Sequence, residues 1–348
     1  MHVPDGFINA PVSVAAGVAA AGAVAVSLRG ARRELDERTA PLAGLVAAFI
    51  FAVQMLNFPV AAGTSGHLLG GALAAILVGP YTGVLCVSVV LLMQGILFAD
   101  GGLTALGVNI TVMGVVTVVV AYAVFRGLLK MLPAGRRSVT VAAFAGALLS
   151  VPGAAAAFTA IYAIGGTTDV PIGKVFTAMV GVHVLIGIGE AAITAATVGA
   201  VIAVRPDLVH GARGLSAPLK LRVGGELVDA PAAAAAPVAA RSTTKVWVTG
   251  LVTALVLAGF VSFYASASPD GLEKVAADQG IDAKVQEHAA KDSPLADYSV
   301  KDVADARLSG GLAGALGVGA TVAVGTGIFW AVRRRRTTQP SAEPSAAV

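Results

Sequence analysis

The chain opens Met1-His2-Val3-Pro4-Asp5-Gly6-Phe7, and its first two residues carry three nitrogens able to close on one ion. The α-amine, the His2 amide nitrogen and the imidazole Nδ1 form a five-membered and then a six-membered chelate ring. Three nitrogens in a plane, one of them a deprotonated amide, suit Ni(II), Cu(II) or Co(II) better than tetrahedral zinc. Such a chelate needs a fourth donor from elsewhere in the chain. A histidine at position 2 is more commonly just part of a flexible start, so the elements that position it have to decide.

Those elements belong in a membrane. The 348 residues are 56% hydrophobic and only 13% charged, with 42 glycines, and the mean hydropathy is +0.82. A soluble chain carries about 25% charged residues. Apolar runs near 8–28, 41–60, 66–79, 82–98, 103–125, 138–163, 174–203, 245–266 and 308–332 read as spans, since about 20 apolar residues cross the hydrocarbon as a helix. The stretch 66–98 is two spans or one broken span, interrupted at Gly79-Pro80-Tyr81-Thr82-Gly83, where proline removes a helical hydrogen bond.

Basic residues orient the spans, because short loops rich in Lys and Arg stay cytoplasmic. Arg29, Arg32, Arg33 and Arg38 form one set, and Arg126, Lys130, Arg136 and Arg137 a second. Arg205, Arg213, Lys220, Arg222, Arg241 and Lys245 form a third, and Arg333 to Arg336 close the last span. All four sets fall on one side of a nine-span chain, whereas the loops near 57–66, 99–102 and 164–173 contain no Lys or Arg. This pattern predicts a multi-pass plasma-membrane protein with its amino terminus outside and its carboxyl terminus in the cytoplasm. No Lys or Arg precedes the first apolar run, which argues against a cleaved signal peptide. The bulky His2 argues against removal of Met1. Cys86, the single cysteine, lies inside an apolar run and reads as a packing residue.

On the outer side, His67 in Gly63-Thr64-Ser65-Gly66-His67-Leu68-Leu69-Gly70 is the candidate fourth ligand. The ordinary alternative is a histidine that satisfies a buried polar neighbour. Asn57, Gln94, Asp100 and Asn109 stand at or near outer span ends, placed either to orient the ligands or to cap helices. His183 and Glu190 are seven apart, hence on one helix face, and read as interior hydrogen-bonding residues. Glycine-rich stretches such as Gly70-Gly71 and Gly311-Leu312-Ala313-Gly314 let helices approach closely. The chain has no His-Glu-x-x-His run, phosphate-binding glycine loop or serine nucleophile motif, so it reads as neither an enzyme nor an ATPase, and not as a nucleic-acid binder.

Four blocks in order, Met1–Phe7, Gly66–Gly71, Gln94–Leu103 and His183–Glu190, resemble the CbiM/NikM family. Its members are substrate-binding membrane components of energy-coupling-factor transporters that import cobalt or nickel. The resemblance implies a seven-helix bundle into which the amino-terminal segment folds back. It also implies an ion held by the Met1 amine, the His2 amide and imidazole, and His67. A coupling transmembrane subunit and two ATPase subunits would then be the partners, with Co(II) or Ni(II) the transported substrate and no permanent cofactor.

Past residue 205 the composition changes. Ala230-Pro231 to Ala240 looks like a cytoplasmic linker, with His210 solvated before it, and two spans then flank an outer segment, 267–307. That segment holds nine acidic residues (Asp270, Glu273, Asp278, Asp282, Glu287, Asp292, Asp297, Asp302 and Asp305) against five basic ones. Ser268-Pro269-Asp270-Gly271-Leu272-Glu273 and Ser293-Pro294-Leu295 resemble the PDGLE module of CbiN and NikN partner proteins, which implies a fusion in which the loop helps load metal. His288 reads as an exposed histidine.

The resulting expectation is an all-α polytopic membrane bundle: a metal-binding component at 1–205, a linker at 206–244, a two-helix PDGLE module at 245–336 and a flexible tail at 337–348. Its function is uptake of Co(II), for cobalamin synthesis, or of Ni(II). A nickel-specific component, or a membrane metal sensor without transport, are the alternatives. Both ions accept this donor set, so residue types do not separate them.

Overall fold

The computed structural model describes residues 1–37, 39–61, 63–213, 220–223, 226–229 and 242–337; Arg38, Arg241, the linker stretch 230–240 and the tail from 338 lie outside these. Hydrocarbon offers no partner for a backbone N–H or C=O, so the apolar runs satisfy their own polar groups as helices. In order these are α1 (Ala10–Glu34), α2 (Thr39–Gln54), α3 (Gly71–Val78), α4 (Pro80–Leu97) and α5 (Leu106–Asn109). A π-helical stretch, Ile110–Val116, then runs into α6 (Thr117–Met131), followed by α7 (Arg136–Gly165) and α8 (Ile172–Val204). The chain continues with α9 (Thr244–Gly259), a short α10 (Gly271–Gln279) and α11 (Ala306–Thr337). Among the described residues, seven helices are long and apolar enough to cross a bilayer, the rod Leu106–Met131 among them, while α2 is shorter. The protein is a multi-pass, all-α membrane protein.

One expected span is not a full helix. Residues 58–66 form a small antiparallel hairpin, β1 (Phe58–Ala61) with β2 (Thr64–Gly66). His67 to Gly70 follow without regular structure, and α3 then has only eight residues. At 1.5 Å per residue it covers about 12 Å of a roughly 30 Å hydrocarbon layer. Proline and glycine account for its end: Gly79 adopts φ +103°, and Pro80 starts α4 afresh. Segment 206–244 likewise departs from a bare linker, since it contains two 3₁₀ turns and a hairpin of β3 (Lys220–Val223) and β4 (Glu226–Asp229). His210 is half-buried rather than solvated; burial, aided by Arg213 and Arg126, lowers its pKa to about 4.

The bundle has two chemically distinct ends. Asn9, Gly165 and the 266–300 segment meet at one end, where Asn9 N donates to Gly165 O at 2.7 Å and Ser266 N to Asn57 O at 2.7 Å. At the other end Arg205 meets Asp207 and the Ser242 carbonyl, and Arg333 meets Glu37. Arg126 and Arg213, which face His210, lie toward this second end as well. Helices α9 and α11 pack along α2, and their glycines permit it. A Cβ on Gly317 would collide with Phe51, one on Gly314 with the Ala258 carbonyl, and one on Gly44 with Thr326. Cys86 is buried and free, as a packing residue should be.

Candidate metal centre

The amino-terminal nine residues do not trail into solvent. Met1 is 3% exposed and Val3 fully buried, because main-chain groups along the segment find fixed partners. Val3 N donates to Asn109 Oδ1 at 2.8 Å, and its carbonyl accepts from Asn109 Nδ2 at 3.1 Å and from Gly102 N at 2.9 Å. Asp5 accepts from Thr104 N at 2.8 Å and Thr104 Oγ1 at 2.5 Å. Gly101, at φ +80°, and Gly102 leave room for this strap; a Cβ on Gly102 would strike the Asp5 backbone. Asn109 therefore acts by splinting the segment beside His2, and without it the buried Val3 N–H would lack a partner.

At the end of this strap the Met1 amine meets His67. The amine nitrogen is 2.7 Å from His67 Nε2, and His67 Nδ1 is 3.0 Å from the Leu68 carbonyl. Nδ1 therefore carries the proton and Nε2 presents a bare lone pair to the amine, the tautomer a metal ligand requires. The His2 ring stacks on His67, centroids 5.1 Å apart and planes 10° from parallel. His2 Nδ1 lies 3.1 Å from Asp100 Oδ1, and Gln94 Oε1 is 3.2 Å from Nε2. Burial lowers the His2 pKa to about 4, against the pull of Asp100, so the ring is neutral. A neutral ring that donates from Nδ1 needs a donor at Nε2, and the Gln94 NH₂ supplies it when turned toward the ring. That orientation also gives a partner to Gln94 Nε2, which is otherwise buried without one.

The loop that presents His67 is held by Glu190 of α8. Its carboxylate accepts from Leu69 N at 2.6 Å and Gly70 N at 3.0 Å, just ahead of α3. His183, on the same face of α8, hydrogen-bonds the Met179 carbonyl through Nδ1 at 2.7 Å. Both residues have the interior hydrogen-bonding role their spacing suggested. His183 also lines a small closed void shared with Met1, His67 and Asp270, and its Nε2 has no partner.

The 266–300 segment covers the site from outside the bundle. Ser65 N donates to Pro269 O at 2.8 Å, Ser65 Oγ to Ser268 O at 2.7 Å, and Gln286 N to Asp5 O at 2.9 Å. Tyr298 donates to Asp100 Oδ2 at 2.6 Å and stacks on Phe98, so Asp100 bridges Tyr298 and His2. Burial first, and then the Asp100 charge, hold the Tyr298 hydroxyl well above its usual pKa. His288 is half-buried, not exposed, with Nε2 3.2 Å from the Gly101 carbonyl and Nδ1 accepting from Ala290 N. Asp270 comes closest of all: Oδ2 is 2.5 Å from the Met1 amine and 3.5 Å from His67 Nε2. Burial would raise its pKa, but the neighbouring Met1 ammonium outweighs burial and holds the carboxyl well below the usual range.

A cavity of about 690 Å³ opens between strap and cover, with His2, Asn57, His67, Asp100 and Asp270 in its wall. Among the residues singled out from sequence, Met1, His2 and His67 meet here, Gln94 and Asp100 hold the His2 ring, and Asn109 splints the strap. Asn57 only lines the cavity and accepts Ser266 N through its carbonyl. The residues that sequence reasoning did not assign to the site are Asp270, Tyr298 and Asp5. For Asp270 the signal was the Pro269-Asp270-Gly271 motif, which stood out from eight other acidic residues in its segment.

Residues 2–208 match the CbiM family, described as a cobalt uptake substrate-specific transmembrane region, and residues 244–334 match the PDGLE domain. The chain is similar to a putative metal transport protein of Haloquadratum walsbyi, 40% identical over 60% of this chain and 93% of that protein. It is also similar to a putative fused nickel transport protein NikMN of Archaeoglobus fulgidus, 41% identical over 60% of this chain and 68% of the relative. A crystal structure of a transition metal transporter superposes with a TM-score of 0.53 at 25% identity, covering 59% of this chain and 93% of that one.

Proposed function

The chain belongs to the CbiM family, and on that premise we propose that it captures Co(II) or Ni(II) outside the cell as the substrate-binding component of an energy-coupling-factor importer. Met1, His2 and His67 hold the ion. The observation that carries this reading is the buried Met1 amine facing the bare Nε2 lone pair of buried His67 at 2.7 Å, with the half-buried His2 stacked alongside. That separation is an ordinary hydrogen bond, and it is also near the ~2.9 Å between adjacent nitrogens at right angles around an ion with bonds of about 2.0–2.1 Å. Two stacked imidazoles cannot aim in-plane lone pairs at one point, so loading requires the His2 ring to turn and bring Nδ1 from Asp100 to the amine.

Loading removes one proton from the ammonium and one from the His2 amide as both nitrogens bind the metal, and the His2 ring proton passes from Nδ1 to Nε2, where the Gln94 side chain turns its oxygen to accept it. Gln94 and Asp100 hold the ring, Asn109 fixes the strap and Asn57 shapes the cavity through which the ion arrives. The amino terminus and the 266–300 cover face outward and the basic end faces the cytoplasm, in accord with the placement of Lys and Arg. CbiM-family proteins work in transporter complexes. Here a coupling membrane subunit and a pair of ATPases supply the energy, and the two-helix segment from 245 serves as the built-in accessory module.

The test is metal content. Cells that express the chain together with its coupling and ATPase subunits should accumulate Co(II) or Ni(II), and cells lacking the ATPases should not. Purified His67→Ala should lose stoichiometric tight binding while keeping its fold. A correctly folded His67→Ala protein that still holds one tight ion per chain overturns the site.

A further inference from the structure

We propose that Asp270 is the resident counter-anion of the metal site, neutralising the Met1 ammonium when the site is empty and the chelated ion when it is full. The proposal rests on the Met1, His2 and His67 chelate argued above. It starts from charge. The empty site contains an ammonium, two histidines and the Asp270 carboxylate, and the ammonium and carboxylate cancel. A divalent ion bound by a neutral amine, a deprotonated amide and two neutral imidazoles would carry one net positive charge. Met1 is 3% exposed and His67 5%, and a buried charge without a partner costs several kcal/mol or more. Asp270 brings the loaded site to zero: two protons leave and one divalent cation enters, so the exchange is electroneutral.

The geometry is that of a built partner. Asp270 is 8% exposed and stands as N-cap of α10, where Oδ1 accepts Glu273 N at 2.9 Å and the Glu273 carboxylate accepts Asp270 N at 2.9 Å. This capping box occupies one oxygen and fixes the other, Oδ2, on the Met1 amine at 2.5 Å. Ser65, two residues before His67, ties the preceding carbonyls of Ser268 and Pro269. The segment carrying the anion is thus anchored to the segment carrying the ligand. The other acidic residues of the loop have no such contact: Asp278 and Glu287 pair with lysines four residues away, and Asp297 is held through its backbone to Phe98. An amine bound to metal still has N–H bonds, so Oδ2 remains its acceptor in the loaded state. An ammonium deprived of Asp270 still donates to His67 Nε2, 2.7 Å away, whereas a bound ion occupies that nitrogen and keeps its net charge, so removal of Asp270 weakens the loaded state more.

Asp270→Asn tests this, because asparagine still caps α10 through its oxygen while its NH₂ replaces Oδ2, removing the charge and the acceptor that face Met1. The full-length purified chain should bind Ni(II) alone, measured by calorimetry, about 10–100-fold more weakly, the range for partners that support a metal ligand without touching the metal. At saturating Ni(II) its visible absorption spectrum should match the parent, because the ligands are unchanged. Asp270→Glu should recover part of the affinity, and thermal unfolding of both variants reports whether the fold persists. Parent-like affinity in a folded Asp270→Asn protein, while His67→Ala loses binding, overturns the counter-anion and leaves the chelate standing. Parent-like affinity in His67→Ala means that the chelate itself has failed. A shifted Ni(II) spectrum in Asp270→Asn also overturns the proposal, because Asp270 would then be a direct ligand.

Discussion

Two glutamates from different helices cap α3 and α4, which fold back on each other at Gly79, one glutamate beside the His67 loop and the other at the basic end. Glu190 of α8 accepts Leu69 N and Gly70 N ahead of α3, and Glu34 of α1 accepts Thr82 N at 2.7 Å, Thr82 Oγ1 at 2.8 Å and Tyr81 N at 3.3 Å at the start of α4. The physics is the same in both. The first N–H groups of a helix have no partner within it, and its positive end favours an anion. The consequences differ because of what stands next door. Glu190 fixes Leu69 and Gly70, two and three residues past His67, whereas Glu34 fixes a joint packed among Gly79, Gly30 and Tyr81 at the basic end. A cap that only stabilises and a cap that positions a ligand cannot be told apart by their hydrogen bonds alone.

The comparison can be broken most forcefully at Glu190. Glu190→Ala should lower affinity for Ni(II) by about 10–100-fold, as loss of a supporting partner does, because Leu69 and Gly70 no longer hold the His67 loop; calorimetry on the purified chain measures it. Glu34→Ala should leave that affinity within about twofold while lowering stability by about 1–3 kcal/mol, the cost of leaving buried donors unpaired. Chemical denaturation in detergent reports the loss. If Glu34→Ala weakened metal binding as much as Glu190→Ala, the two ends would be coupled and the contrast would fail.

A smaller effect should follow from Gly70→Ala, which sits between the Glu190 cap and α3. Gly70 has φ +87° and lies against Ile50. An alanine there is strained by about 1–2 kcal/mol, and thermal unfolding should show it with a modest loss of affinity.

Acid should touch both ends, since burial also holds His210 at the basic end at about 4, and the site end contributes through His2. His2 is held at about 4 against a usual 6.5, so between those values the unfolded chain binds a proton that the folded chain refuses. Stability of the metal-free protein is then full above about pH 6.5 and declines as pH falls toward 4. His2→Gln should flatten that slope in a thermal-unfolding series. An unchanged slope would show that the ring is not neutral and buried.

Much of this was legible in the chain. Apolar run length marks the spans because hydrocarbon forces helices, and the placement of Arg and Lys sorts the two ends. The start Met1-His2 stands out because no other place in a protein offers a free amine beside an imidazole. The stretch 66–79 misled, since it is apolar throughout yet makes a hairpin strand, a loop and a half-helix. Hydropathy reports the solvent around a segment and is silent on whether another chain segment, here Glu190, satisfies its backbone. His288 and His210 misled for a related reason: their partners, Gly101 and Tyr122, are distant in sequence.

The sequence by itself determined a helical membrane protein with a chelating start and a histidine on the same side, because those follow from residue type, run length and the sign of charge. Only the tertiary structure decided which carboxylate meets the amine. Asp270 is 269 residues from Met1, and nine acidic residues of its segment carry the same charge. The one that counts is selected by a capping box and by Ser65, which aim a single oxygen into a buried place where one charge cannot be left unmatched.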